Sequence, residues 1–336
     1  MSRSPEIRQP SCVGALIRDE ANRVFVQRRS PHRRLLPGAW DIVGGHVEDG
    51  ETAEAALARE IHEETGWSLR RIEAVIADWE WQHNGLVRRE FDYLVEVSGD
   101  LRRPRLAPAE HDDYNWVSFR DTDFLRQGLD SGNGLLWNII ARATRIRLTR
   151  DLRMEPIDVG ASDALWGMHR GGIMTFLGHR MTQEDIILNA KHYAAEWDTG
   201  AGYWWLFFRR NNQPQAEIIG YGGLSRELLD GRDELMLHCT VPAKDSPPDS
   251  AGQIIKAVLA FARNELQASR VTACTAPDNA WAHNVLQRLG MRPRGELRAN
   301  DQSRRQYDIS LASGSSYDLE QKVITGIGQI LAVPSD

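Results

Sequence analysis

Cysteine is scarce. The three residues Cys12, Cys239 and Cys274 lie far apart, with neither the paired spacing of a zinc site nor the density of a disulfide framework. The opening MSRSPEIRQP also lacks the apolar stretch of a secretory signal, so a cytoplasmic protein is expected. Long hydrophobic runs are missing as well. The longest, Tyr203 to Phe208, has six residues, against roughly 20 for a helix that crosses a bilayer, and no membrane partner is expected. Lysine is nearly missing: Lys191, Lys244, Lys256 and Lys322 are the four lysines among 41 basic residues. Arginine carries the rest, a group that matches phosphate bidentately when it lines a site, although coding bias is the simpler reading. With 47 acidic residues and a formal net charge of -6, no summed positive field exists for a long nucleic acid, and that class of partner is excluded.

What is present is an ordinary globular composition. Hydrophobic residues at 41% and charged residues at 26% permit a real core and exclude a disordered or collagen-like chain. The 336 residues exceed the roughly 100 to 200 usual for one domain, so two are expected.

Short strands read at Val13 to Ile17, Val24 to Gln27 and Ala39 to Val43. A helix follows over Thr52 to Thr65, stopped by Gly66. Ile72 to Gln82 and Leu86 to Val97 flank the hairpin signal His83-Asn84-Gly85. A helix near Gly134 to Thr144 precedes a boundary placed at about residue 150. Beyond it, strands are expected at Met154 to Val159, Tyr203 to Arg209, Ala216 to Leu224, Glu234 to Val241, Arg270 to Ala276 and Gln306 to Leu311. Helices are expected near Asp163 to Gly171, Gln183 to Trp197, Ala251 to Leu266 and Ala280 to Leu289. The fold class is therefore α/β (α+β), divided as residues 1–150, 151–313 and a C-terminal tail, 314–336. The tail sets Val323, Ile324, Ile327, Ile330 and Leu331 on one helical face, as if to dock on a domain or on a second subunit of a homodimer.

A helix turns about 100° per residue, so Glu60, Glu63 and Glu64 fall within one arc of about 100°. A solvated acidic face would lie opposite the apolar stripe, yet this arc overlaps Ala53 and Leu57. Three carboxylates at a core edge repel unless a cation neutralises them, and oxygen ligation at helical spacing suits Mg²⁺ or Mn²⁺. Arg59, four residues before Glu63, is placed to hold the carboxylates. The whole stretch from Gly45 to Trp67, GHVEDGETAEAALAREIHEETGW, resembles the Nudix box at Gly45, Glu51, Arg59, Glu60, Ile61, Glu63, Glu64, Gly66 and Trp67. With each fixed residue near 6% of usage, seven chance identities occur on the order of once in 10⁸ to 10⁹ starts.

The resemblance covers roughly residues 12 to 130 and implies an α/β/α sandwich with a mixed sheet. It also implies hydrolysis of a nucleoside diphosphate-linked small molecule, with Glu60 and Glu64 as leading metal ligands, Glu63 as the third and Gly45 near the ion. Glu110, six residues before Trp116, is the auxiliary ligand or base that several subfamilies keep in such a loop; an ordinary loop acid is the alternative, with Asp112 and Asp113 as substitutes. Arg28 and Arg29 are candidates to face phosphates, only one of them pointing inward. Trp40, Trp79, Trp81 and Tyr93 stack a base or, as more often on half-buried strands, belong to the core.

The order of elements over about 152 to 312 resembles a GNAT-type acetyltransferase. Ala216 to Ser225 matches that family's third strand, and Ala276 to Arg292, with Asn279, Leu289 and Gly290, its fifth-strand exit and following helix. The resemblance implies acetyl-CoA as cofactor, held near Val241, Ser250, Gly252, Gln253 and Asn279, and Glu234 or His238 as a base, a structural histidine being the plainer reading of the latter. The pyrophosphate loop departs from the family's glycine-rich pattern, since Pro247 and Pro248 lack N–H groups and Asp245 and Asp249 carry the wrong charge. Leu286 stands where many members have a tyrosine. A binding or dimerisation role for this half is the alternative.

Overall fold

The computed structural model describes residues 10–83, 85–126, 134–170, 175–176, 179–180, 182–210, 217–229, 231–242, 249–299 and 302–311. The chain divides into two units, residues 1–146 and 147–336. The expected tail helix and most of the expected pyrophosphate loop, residues 243–248, lie outside the described residues.

The first unit contains β1 (Cys12–Ile17), β2 (Val24–Arg29), β3 (Trp40–Asp41), β4 (Val43–His46), α1 (Ala53–Thr65), β5 (Ser68–His83), β6 (Leu86–Ser98), β7 (His111–Val117) and α2 (Gly134–Arg145). β1 runs antiparallel to β4 and parallel to β6, giving one sheet in the order β4-β1-β6-β5, and β2 stands between β3 and β7 in a second. Helix α1 packs Ala56, Leu57 and Ile61 against Val13, Ala15, Val43, Tyr93 and Val95, so this sheet face is dry. Its ends are punctuated as the sequence implies: the Thr52 side chain accepts from the Ala55 N–H, and Gly66 ends the helix at φ 73°. The expected strand Ala39 to Val43 is a correction. It breaks at the buried Ile42, because Trp40 and Asp41 pair with β2 while Val43 onward pairs with β1. Strand β5, on the edge of its sheet, slips register against β6 at three places between Leu69 and Ala77.

The second unit contains β8 (Arg147–Leu148), β9 (Leu152–Pro156), α3 (Ser162–Arg170), β10 (Thr175–Phe176), β11 (His179–Arg180), α4 (Gln183–Thr199), β12 (Gly202–Arg209), β13 (Ile218–Leu229), β14 (Arg232–Thr240), α5 (Ser250–Asn264), β15 (Arg270–Thr275), α6 (Ala280–Arg288), β16 (Arg292–Ala299) and β17 (Gln302–Ser310). Its main sheet has the order β16-β17-β15-β14-β13-β12-β9-β8. Helices α3 and α4 cover the face bearing Trp204, Leu206 and Tyr221, while Phe261 of α5 packs edge-on to Trp205 on the other face. β14 and β15 are parallel and share a single register pair, Met236 with Thr272, so the strands part beyond it. Two expectations need correcting. β9 starts and ends earlier than Met154 to Val159, since Leu152 to Pro156 pair with β12 and Val159 begins a 3₁₀ turn. β16 was not expected, because Pro293 and Gly295 break its pattern; it is tolerated at the sheet's edge with a register shift at those residues.

Candidate active site

Helix α1 aims Glu60 and Glu64 inward and leaves Glu63 at the rim, its side chain 58% exposed. Glu64 is buried, accepting from Gln27 Nε2 at 2.7 Å and from the Gly44 N–H at 3.1 Å. Burial pushes its carboxyl up to about 8, against the opposing pull of those two donors. Glu60 is raised too, first by burial, with Glu63 and Glu110 adding repulsion. It lies over Gly45, where an added Cβ would fall 2.2 Å from Glu60 Oε1, so only glycine admits the carboxylate at that spot.

Arg59 is a bracket across this group. It donates to Glu51 at 3.1 and 3.0 Å, to Glu60 at 2.8 Å, to Glu63 at 3.2 Å and to the His46 carbonyl at 2.9 Å. Four of these five bonds position acids, as its spacing implied, and the fifth ties the bracket to the backbone of β4.

From the opposite side, the turn before β7 brings Glu110 in. One ligand atom each of Glu64, Glu110 and His111 lies within 4.8 Å of the others. His111 is 3% exposed and burial lowers its pKa to about 4, so its ring is neutral; its Nδ1, 3.8 Å from Glu64 Oε1, has no hydrogen-bond partner among the described residues. Gln27 Oε1 is likewise buried without a partner. Sequence reasoning missed both. Strand β2 alternation was the available signal for Gln27, and adjacency to Glu110 the signal for His111. Two raised carboxyls, a neutral imidazole and orphaned acceptors in one place make a donor set that fits a divalent cation.

Of the two arginines, Arg29 is the inner one, donating to Asp41 at 2.5 Å and to the Leu35 carbonyl. Arg28 turns outward to Asp112 at 2.8 Å and Asp113 at 3.6 Å. Trp40 packs edge-on to Phe124, and Tyr93 is in the core.

In the second unit Glu234 is buried and tied to Arg270 at 2.6 Å and to Thr272 Oγ1 at 2.9 Å. His238 is one-third exposed, its Nε2 2.7 Å from Ser225 Oγ and 3.3 Å from Glu227 Oε1, with its ring over Trp204 at 4.7 Å. It stands just past the point where β14 and β15 part. Val241 follows β14 directly, whereas Ser250, Gly252 and Gln253 form the first turn of α5. Ser250 Oγ and Gln253 Oε1 are buried there without partners among the described residues. Asn279 caps α6, accepting from the Ala282 N–H at 3.0 Å.

Among the described residues no helix is long and apolar enough to cross a membrane. The NUDIX domain family matches residues 8–135, and the acetyltransferase (GNAT) domain family residues 151–292. Nucleoside triphosphatase NudI of Klebsiella pneumoniae is 34% identical over 124 residues, 34% of this chain and 86% of that protein. RNA pyrophosphohydrolase of Novosphingobium aromaticivorans is 29% identical over 126 residues, 32% of this chain and 75% of that protein. A solved GnaT-family acetyltransferase from Bordetella pertussis is 19% identical with a TM-score of 0.43, covering 49% of this chain and 99% of its own. The chain therefore belongs to the Nudix family of enzymes, with a GNAT acetyltransferase domain following in the same polypeptide.

Proposed function

We propose that the first unit hydrolyses the pyrophosphate linkage of a small nucleotide. The observation that carries this reading is the convergence of Glu64, Glu110 and His111, with Glu60 held next to them by the Arg59 bracket. Glu60 and Glu64 would hold Mg²⁺ or Mn²⁺, which neutralises phosphate charge when bound. Glu110 takes a proton from the attacking water, its side chain 44% exposed and 3.4 Å from Arg33. Arg29 on the inner side, rather than Arg28, faces the phosphates. The relatives' names, a nucleoside triphosphatase and an RNA pyrophosphohydrolase, favour a nucleotide anhydride as substrate.

Glu64→Gln and Glu110→Gln are each expected to lower turnover about 10² to 10⁴-fold on the best nucleotide of a screen, and EDTA to abolish it. Turnover within threefold of wild type in both variants would remove this site from the reaction.

For the second unit we propose acyl transfer from acetyl-CoA to an amine. His238 accepts the amine proton, because Glu234 is already committed to Arg270 and Thr272. The orphaned Ser250 hydroxyl at the start of α5, which can donate, supports an anion there. Calorimetric titration with acetyl-CoA tests this; no binding at millimolar concentration would leave a non-catalytic role.

A further inference from the structure

His238 is gripped at one nitrogen of its ring and left free at the other. Trp204 on β12, Gly223 on β13 and His238 on β14 form one cross-strand row. Gly223 has no side chain to stand between the two rings, so the imidazole meets the indole across β13 at 4.7 Å. The indole is fixed in turn, stacked on Tyr193 of α4 at 4.2 Å and donating Nε1 to Glu196. Further along β13 on the same face come Ser225 and Glu227, and both reach the same ring nitrogen. His238 Nε2 is 2.7 Å from Ser225 Oγ and 3.3 Å from Glu227 Oε1, and Ser225 Oγ is 2.9 Å from Glu227 Oε1.

Counting the protons in this triangle leaves one arrangement. The contact with His238 holds the Glu227 carboxyl below its usual value, with Ser225 adding to the effect against burial, so the group is ionised and only accepts. Ser225 has a single proton, which therefore goes to Glu227. Its oxygen is left to accept from the ring, so Nε2 carries the hydrogen and Nδ1 the lone pair. Nδ1 has no hydrogen-bond partner among the described residues, and the side chain is 34% exposed. His238 lies two residues past Met236, whose pair with Thr272 is the one place where β14 meets β15, and so stands where these strands part. The other titratable groups around it are Cys274 of β15 and Arg304 of β17, both within electrostatic reach of Glu227, and Glu196 on the indole; Glu234 is tied to Arg270 and Thr272.

We infer that Glu227 and Ser225 are positioning residues, a carboxylate and hydroxyl relay that holds His238 by Nε2 and presents Nδ1 as the atom that takes the proton of an acceptor ammonium. In that step the ammonium N–H bond breaks, its electron pair stays on the amine nitrogen, and the proton joins Nδ1. The imidazolium so formed is balanced through Nε2–H by the Glu227 carboxylate. The inference rests on the reading of His238 as the base of the second unit.

The test is nuclear magnetic resonance of the full chain carrying ¹⁵N- and ¹³C-labelled histidine, with the His238 signals identified by their loss in His238→Gln. In wild type at alkaline pH the ring is expected to hold its hydrogen on Nε2 alone, whereas Ser225→Ala and Glu227→Gln are each expected to give a mixture of the two tautomers. Glu227→Gln keeps the shape and removes the charge, so the pH at which half of the ring is protonated is expected to fall by at least about 0.5 relative to wild type. A merely structural role would leave that midpoint in place. A wild-type ring with its hydrogen on Nδ1, or a smaller fall than this in Glu227→Gln at unchanged Tm, would overturn the relay. If Ser225→Ala does not fold, the partly exposed Glu227→Gln decides alone. No acceptor is needed for this measurement, so the two readings fail separately. A relay present in a chain that binds no acetyl-CoA would overturn acyl transfer alone, and acetyl-CoA binding with an unmoved midpoint would overturn the relay alone.

Discussion

At the scale of single residues, Glu64 ties stability to pH. In the metal-free folded state its carboxyl, raised to about 8, keeps a proton that the unfolded chain, at the ordinary 4.5, has released. Between those values the folded state binds more protons, so stability falls as pH rises through the window, and above it only the share contributed by this one group has been lost in full. Denaturation midpoints of metal-free protein from pH 5 to 9 should decline less steeply in Glu64→Gln than in wild type, and saturating Mg²⁺ should flatten the wild-type curve. An identical slope in wild type and variant would place the titration elsewhere. The residues of this site divide by how far apart they lie in sequence. Glu60, Glu63, Glu64 and Arg59 were legible because helical spacing alone brings them together. His111 and Gln27 reach the same carboxylate across 47 and 37 positions, and a local pattern contains no information on which strands will meet. Glu63 shared the arc but not the burial, since a side chain at its edge can turn to solvent with Arg59.

At the scale of elements, α1 is the piece that must not move. Thr52 caps it at 3.2 Å to the Ala55 N–H, far from the ligand carboxylates. Thr52→Ala is expected to cost about 1 kcal/mol, read from urea denaturation, while kcat stays within about twofold. A larger fall in kcat than in stability would mean that the cap positions the acids directly. Elements with punctuation were read correctly from sequence, α1 between Thr52 and Gly66 and the hairpin about Gly85. β16 was not, because Pro293 and Gly295 are tolerated only through its edge position. The run Ala39 to Val43 was misread as one strand because apolar content marks burial, not which of two ladders a residue joins.

At the scale of the whole molecule, each unit has its own core: α1 against the β4-β1-β6-β5 sheet in one, α3 and α4 against Trp204 and Leu206 in the other. Calorimetry is therefore expected to resolve two unfolding transitions. Mg²⁺ at 100 times its Kd should stabilise only the one belonging to residues 1–146, by about 2.7 kcal/mol; a single transition, or an equal shift of both, would contradict this. The slips in β5 bear on how the protein behaves as a solute. An edge strand of 16 residues is long enough to template a neighbouring chain, and it carries Val75 at 50% exposure. Three one-residue slips within Leu69 to Ala77 interrupt the even spacing of its outward N–H and carbonyl groups. The irregularity thus denies a second molecule a straight ladder to copy.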